Sequence, residues 1–184
     1  MDKQTMTYDF PVLIPKFDAI LARGLCVGVG SRDGQMCIEA AICAALDLPH
    51  GDQPECVAPA VRSYKIALND SNWSSHQARA IGLRDIGIAQ IGSTGVVNDA
   101  EFAKRLAEKT IRVLIPELFR EIFPAHPTCL TAADRCEKDG NASAAAGAAA
   151  AAEASAEAGA AWAAEAAREA EAAAAEAEAS AEAA

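Results

Sequence analysis

From Asn141 to Ala184 the chain is nearly a two-letter text: 28 of these 44 residues are alanine and 8 are glutamate, and Arg168 is the single base. Both residue types favour helix and are depleted in strands, so such a segment folds as helix or stays unfolded. The sequence therefore divides into a helical domain over 1–140 and an acidic tail over 141–184, read as a long C-terminal helix despite Gly147 and Gly159. Set at 100° steps, the glutamates and Arg168 share an arc of about 180°. The opposite arc is alanine with Ser155, Gly159 and, at its edge, Trp162. A face of methyl groups lets another helix approach closely but buries little apolar area per residue. The tail is accordingly expected to dock on its own domain or to self-associate, with Trp162 as its one large contact.

The 1–140 segment reads as all-α, because apolar residues recur at helical spacing and no stretch alternates convincingly with period two. A short helix is expected at Lys16–Arg23 after an irregular start containing Pro11 and Pro15, and GLCVGVGSRDGQ reads as a loop. The segment from Gln35 to Leu46 is apolar around most of its circumference and belongs at the centre. Pro59 suits the first position of the next helix, which stops near Asn69. Ser74 with Gln77, and Asn98 with Glu101, have capping-box spacing and open two further helices. The first of these runs to about Ile91 and is also expected to be central, with Gly82 and Gly87 admitting a neighbouring helix or backbone. Pro116 kinks or divides the second, and CLTAADRCEKDG forms a helix ended by Gly140.

Of the net charge of −10, the tail carries −7, which leaves −3 for residues 1–140. That balance repels phosphate backbones and argues against nucleic acid as a partner. Charge interrupts every apolar run before the roughly 20 residues a bilayer span needs, and no basic-then-apolar leader is recognisable, so a soluble cytoplasmic protein is expected. Six cysteines are read as reduced, mostly packing thiols; no C-x-x-C occurs and the three histidines are scattered, so no metal and no cofactor is expected.

Few residues stand out for chemistry. Glu39 lies inside the most apolar helix, where a carboxylate must be paired or protonated, and its candidate partners are Arg62, Arg79 and Arg84. Asp85 shares a face with Ala78, Ile81 and Ile88 and is a second acid in an apolar setting. The polar loop over residues 69–73, with Asp70 and Trp73, suits ligand contact and equally suits helix capping, which is preferred. The glycine loop precedes a helix, as phosphate cradles do, but lacks the lysine and serine of a P-loop. No catalytic motif is present.

GLCVGVG, GQMCIEAAICAALDLPHGD, CVAPAVRSYKIALNDSNWSS, ARAIGLRDIGIAQIGSTGVV and FAKRLAEKTIRVLIPELFRE, followed by CLTAADRC and the alanine-rich tail, resemble an uncharacterised family of tailed-bacteriophage and bacterial proteins. The resemblance covers nearly the whole chain and implies no activity and no functional residue. The expectation is a non-enzymatic phage or host accessory protein, in the host cytoplasm or associated with the virion, that binds or assembles through its tail. The alternative is a small helical enzyme or small-molecule binder with a pocket around Glu39 and the 69–73 loop.

Overall fold

The computed structural model describes residues 7–155 and 160–182. All regular structure in them is helical, and the only extended pairing is a pair of isolated bridges from Leu25 and Gly30 to Met36. No described helix is long and apolar enough to cross a membrane. The chain forms two compact units, one ending at Asp99 and one beginning at Ala100.

In the first unit α2 (Ile38–Ala45) is the hub, with α1 (Phe10–Leu21), α3 (Pro59–Asp70) and α4 (His76–Ala89) packed on it. Seven of its eight residues are buried, as its apolar circumference predicts. Leu13, Phe17 and Leu21 form the inner stripe of α1 at four-residue spacing. This helix starts earlier than expected. Pro11 sits in its first turn, where no donor is lost, and Pro15 is carried inside the helix. Asp9 caps it, accepting from the Val12 amide at 3.4 Å.

Two expectations for α4 need correction. Its cap is Ser75 rather than Ser74, accepting from the Ala78 amide at 3.0 Å; the third residue of the cap is then alanine, and no capping box closes. Nor is the helix central. Its buried face is Arg79, Ala80, Leu83 and Gly87, and Ile81 is 72% exposed on the outer side. Gly87 admits neighbouring helices, since a methyl group there would press on Phe17 of α1 and Ile38 of α2, whereas Gly82 admits a loop side chain, since a methyl group there would overlap Trp73.

The second unit opens with α5 (Asp99–Lys109), which runs through a π-helical turn at Thr110–Leu114 into α6 (Ile115–Ile122). Proline supplies the cause. Pro116 has no N–H to return to the Arg112 carbonyl, and its ring would strike the preceding turn, so the helix widens just ahead of it instead of breaking. The widened turn carries Arg112, whose guanidinium donates to the carbonyls of Glu137 (3.0 Å), Lys138 (2.5 Å) and Asp139 (3.0 Å) at the end of α7 (Pro127–Asp139). Gly140, at φ 63°, ends α7 in the left-handed region beneath that guanidinium.

The tail is two helices, α8 (Ala142–Glu153) and α9 (Ala160–Glu182), packed on each other; Gly159 lies outside the described residues. One core joins them to the rest of the unit. Ile111, Ile115, Phe119 and Phe123 meet Cys129, Ala133 and Cys136 of α7 and the inner alanines of α8 and α9. The Phe119 and Phe123 rings stand edge to face with centroids 5.2 Å apart. Composition changes at Gly140, but packing divides at Asp99, because the alanine helices need the large apolar side chains of α6 to close a core. The thiols of Cys129 and Cys136 reach the carbonyls of Ala151 (3.5 Å) and Ala144 (3.4 Å), fixing the antiparallel register of α7 on α8. Burial pushes the Cys136 thiol up to about 11, so it stays protonated and able to donate near neutral pH.

Candidate functional site

The polar centre of the first unit grows from the inner faces of α2 and α3. On α3 the buried residues are Val61, Lys65 and Asn69, a stripe at four-residue spacing that carries a lysine where an apolar residue would be ordinary. Its ammonium lies 2.8 Å from Glu39 Oε1, and both side chains are 0% exposed. Gln90, just past the end of α4, donates its amide Nε2 to Glu39 Oε2 at 3.2 Å. No described donor meets the Gln90 Oε1. The contact between Glu39 and Lys65 is a charge pair at hydrogen-bonding distance, closed off from water on both sides.

Burial pushes the Glu39 carboxyl up despite the pull of Lys65, Gln90 and, least, Arg62. Burial likewise pushes the Lys65 ammonium down against the opposing pull of Glu39. Both directions say that desolvation outweighs attraction for each partner, as is usual for buried ion pairs.

Beside this pair, Asn69 binds three segments together. Its Oδ1 accepts from the Ile38 amide at 3.2 Å, and its Nδ2 donates to the Cys26 carbonyl (2.9 Å) and to Asp70 Oδ1 (2.8 Å). Asp70 also accepts from the Gly28 amide at 3.2 Å, so this glycine-loop amide is spent within the chain. Arg79 donates through Nε to the Asn69 carbonyl (2.7 Å) and through Nη1 to the Leu25 carbonyl (3.0 Å). His76 Nδ1 lies 2.7 Å from the same Leu25 oxygen, which requires its proton on Nδ1.

The residues singled out from sequence are thus brought together in part. Glu39 is buried and paired as expected, but with Lys65, and none of the three arginines named for it is its direct partner. Arg79 holds backbone carbonyls. Arg84 binds both oxygens of Asp18, at 2.7 and 2.9 Å, and reaches Asp85 at 3.0 Å. Asp85 is not in an apolar setting, since its side chain is 93% exposed and its helical face is the outer one that also carries Ile81. Trp73 staples its loop, donating Nε1 to the Leu68 carbonyl at 2.9 Å with its ring over Gly82. Lys65 and Gln90 were missed. The signal for Lys65 was its place four residues from both Val61 and Asn69; for Gln90 no comparable signal exists.

On the second unit Trp162 points away from the buried row Ala160, Ala163, Ala164, Ala167, Ala170, Ala174 and Ala177, and it is 64% exposed. It does not anchor the tail on its own unit. Glu165 and Glu169 follow it on the outer side of α9, and Arg168 pairs with Glu153 of α8. Among the described residues no group of three or more His, Cys, Asp or Glu could hold a metal ion. No family model matches the chain, and no curated protein and no solved structure was found to match it.

Proposed function

We propose that the chain is a non-enzymatic accessory protein of a phage or its bacterial host, a helical assembly module that associates with a second copy through the outer face of α9. The observation that carries this reading is Trp162, 64% exposed on a helix whose alanine face is already covered by its own unit. Tryptophan is enriched at the buried centres of interfaces relative to the rest of a protein surface. The phage or host setting rests on the sequence resemblance, and a cytoplasmic or virion-associated location follows from that setting.

Electrostatics favours one arrangement of the two copies. In a parallel pair, Glu165 and Glu169 would face their equivalents. In an antiparallel two-fold crossing at Trp162, Glu165 of each copy falls beside the start of the other's α9 at Ala160, the positive end of the helix dipole. Sedimentation velocity over a range of concentrations tests the proposal. A dimer that is lost in Trp162→Ala supports it, and a monomer at every concentration in both proteins overturns it.

A further inference from the structure

Aspartate is followed directly by glycine at two places, Asp33–Gly34 and Asp139–Gly140. The pairing has its own chemistry. A glycine carries no Cβ to shield its amide nitrogen and leaves the backbone free to turn, so that nitrogen can close a five-membered ring on Cγ of the preceding aspartate. The dipeptides are identical, and the fold treats them differently.

At Asp139 every group the ring closure needs is held. The residue is the last of α7, and the Gly140 amide donates to the Cys136 carbonyl at 3.0 Å. The Asp139 carbonyl accepts from Arg112 Nη2 at 3.0 Å, and its carboxylate faces Arg135 Nε at 3.5 Å. The Arg112 guanidinium covers Gly140, occupying the space a Cβ there would take. Bringing the Gly140 nitrogen onto Cγ would therefore unwind the end of α7 and displace Arg112.

At Asp33 little has to move. The residue is exposed in a turn of the glycine loop, and among the described residues no hydrogen bond or ion pair engages its carboxyl. The Gly34 amide is tied by one bond, to the Ser31 carbonyl at 3.2 Å, and the turn is closed by the Ser31 amide on the Gln35 carbonyl at 3.0 Å. Opening an exposed turn of this kind lies at the low end of local unfolding free energies.

We propose that Asp33 is a site of spontaneous isoaspartate formation and that the end of α7 protects Asp139 from the same reaction. The Gly34 nitrogen attacks Cγ of the protonated Asp33 carboxyl, gives up its proton to solvent, and expels the hydroxyl as water, leaving a succinimide. Water then adds back at one of the two ring carbonyls. Addition at Cγ restores aspartate; addition at the former main-chain carbonyl leaves the chain running through Cβ and Cγ, one carbon longer, with no net change in mass or oxidation state. That extra carbon falls between Gly30 and Met36, which the loop pairs, so the Ser31–Gln35 bond is the first to be lost.

The test is prolonged incubation of the full chain in mildly acidic buffer below its unfolding temperature, alongside the chain unfolded in guanidinium chloride. Peptide mapping with electron-transfer fragmentation locates isoaspartate at each site. In the folded chain it should build up at Asp33 at least about tenfold faster than at Asp139, the ratio a modest local opening cost at the end of α7 produces. In the unfolded chain the two sites should react at similar rates. Asp33→Glu should remove the main product, since the ring would then need six members, and Arg112→Met should speed the reaction at Asp139 alone. Equal rates at the two sites in the folded chain, a folded Asp33 that stays intact while the unfolded one reacts, or no reaction at either site in the unfolded chain would each overturn the proposal.

Discussion

Lys65 Nζ sits 2.8 Å from Glu39 Oε1 with neither side chain reaching solvent, so the only lysine and the only glutamate buried among the described residues neutralise each other at the centre of the first unit. Removing one partner strands a charge. Glu39→Leu or Lys65→Met alone should cost about 3–5 kcal/mol, whereas the double variant should recover most of that loss or exceed the parent. Urea unfolding of the three variants checks this, and singles as mild as the double would show that the pair is not dry.

The pair also sets a pH dependence whose sign can be worked out. Glu39 is raised above its ordinary value of 4.5, so its contribution is complete below that value and is lost as pH rises through its folded value. Lys65 is lowered from 10.5, so its contribution is complete above that value and is lost as pH falls through its folded value. Asp18 and Asp47, held down by Arg84 and Lys16, act oppositely to Glu39, contributing above 3.8 and fading below it. Relative to Glu39→Gln, the parent should therefore lose stability on going up from pH 4.5. Denaturant midpoints of both proteins across that window give the difference directly, and a difference that grows with pH contradicts the assignment.

Three helix-interior glycines should respond to alanine in two ways. At Gly82 and Gly87 the new methyl group meets Trp73 or Phe17, and overpacking should destabilise by about 1–3 kcal/mol despite the better helix propensity. At Gly147 the space is open, and alanine should stabilise by up to about 1 kcal/mol. Thermal unfolding of the three variants separates the cases.

Gly140→Ala should be worse than either. It forces a left-handed residue to carry a Cβ, about 1–2 kcal/mol, and drives that Cβ into Arg112. Arg112→Met should likewise destabilise, because the carbonyls of Glu137, Lys138 and Asp139 lose their shared donor. Hydrogen exchange at the end of α7 should rise in both variants.

The helical class, the hub position of α2, the start of α3 at Pro59 and the stop at Gly140 were legible because each rests on local chemistry: apolar periodicity, a proline in a first turn, a glycine at a left-handed position. The π-helical turn was not, since Pro116 in sequence is equally compatible with a kink, a break or a widened turn. Ile81 and Asp85 were misplaced for a related reason. Isoleucines occur around most of α4, and only the partners of α4 determine which side is covered. Lys65 was hidden because a lysine is ordinarily a surface residue, although its spacing from Val61 and Asn69 marked the face. The alanine tail was legible as helix but not as a pair, because alanine and glutamate favour helix on both sides of the break that follows Glu153.

Trp162 lies outside the core of its own unit and, in the proposed dimer, at the centre of an interface, and fluorine NMR of the full chain carrying 5-fluorotryptophan reads both environments at once. Trp162→Phe identifies its resonance against that of Trp73. The prediction is a Trp162 signal that is solvent-exposed at low concentration and shifts and broadens as concentration rises, while the Trp73 signal stays fixed. A Trp162 signal shielded at the lowest concentration, or unchanged throughout, would contradict it.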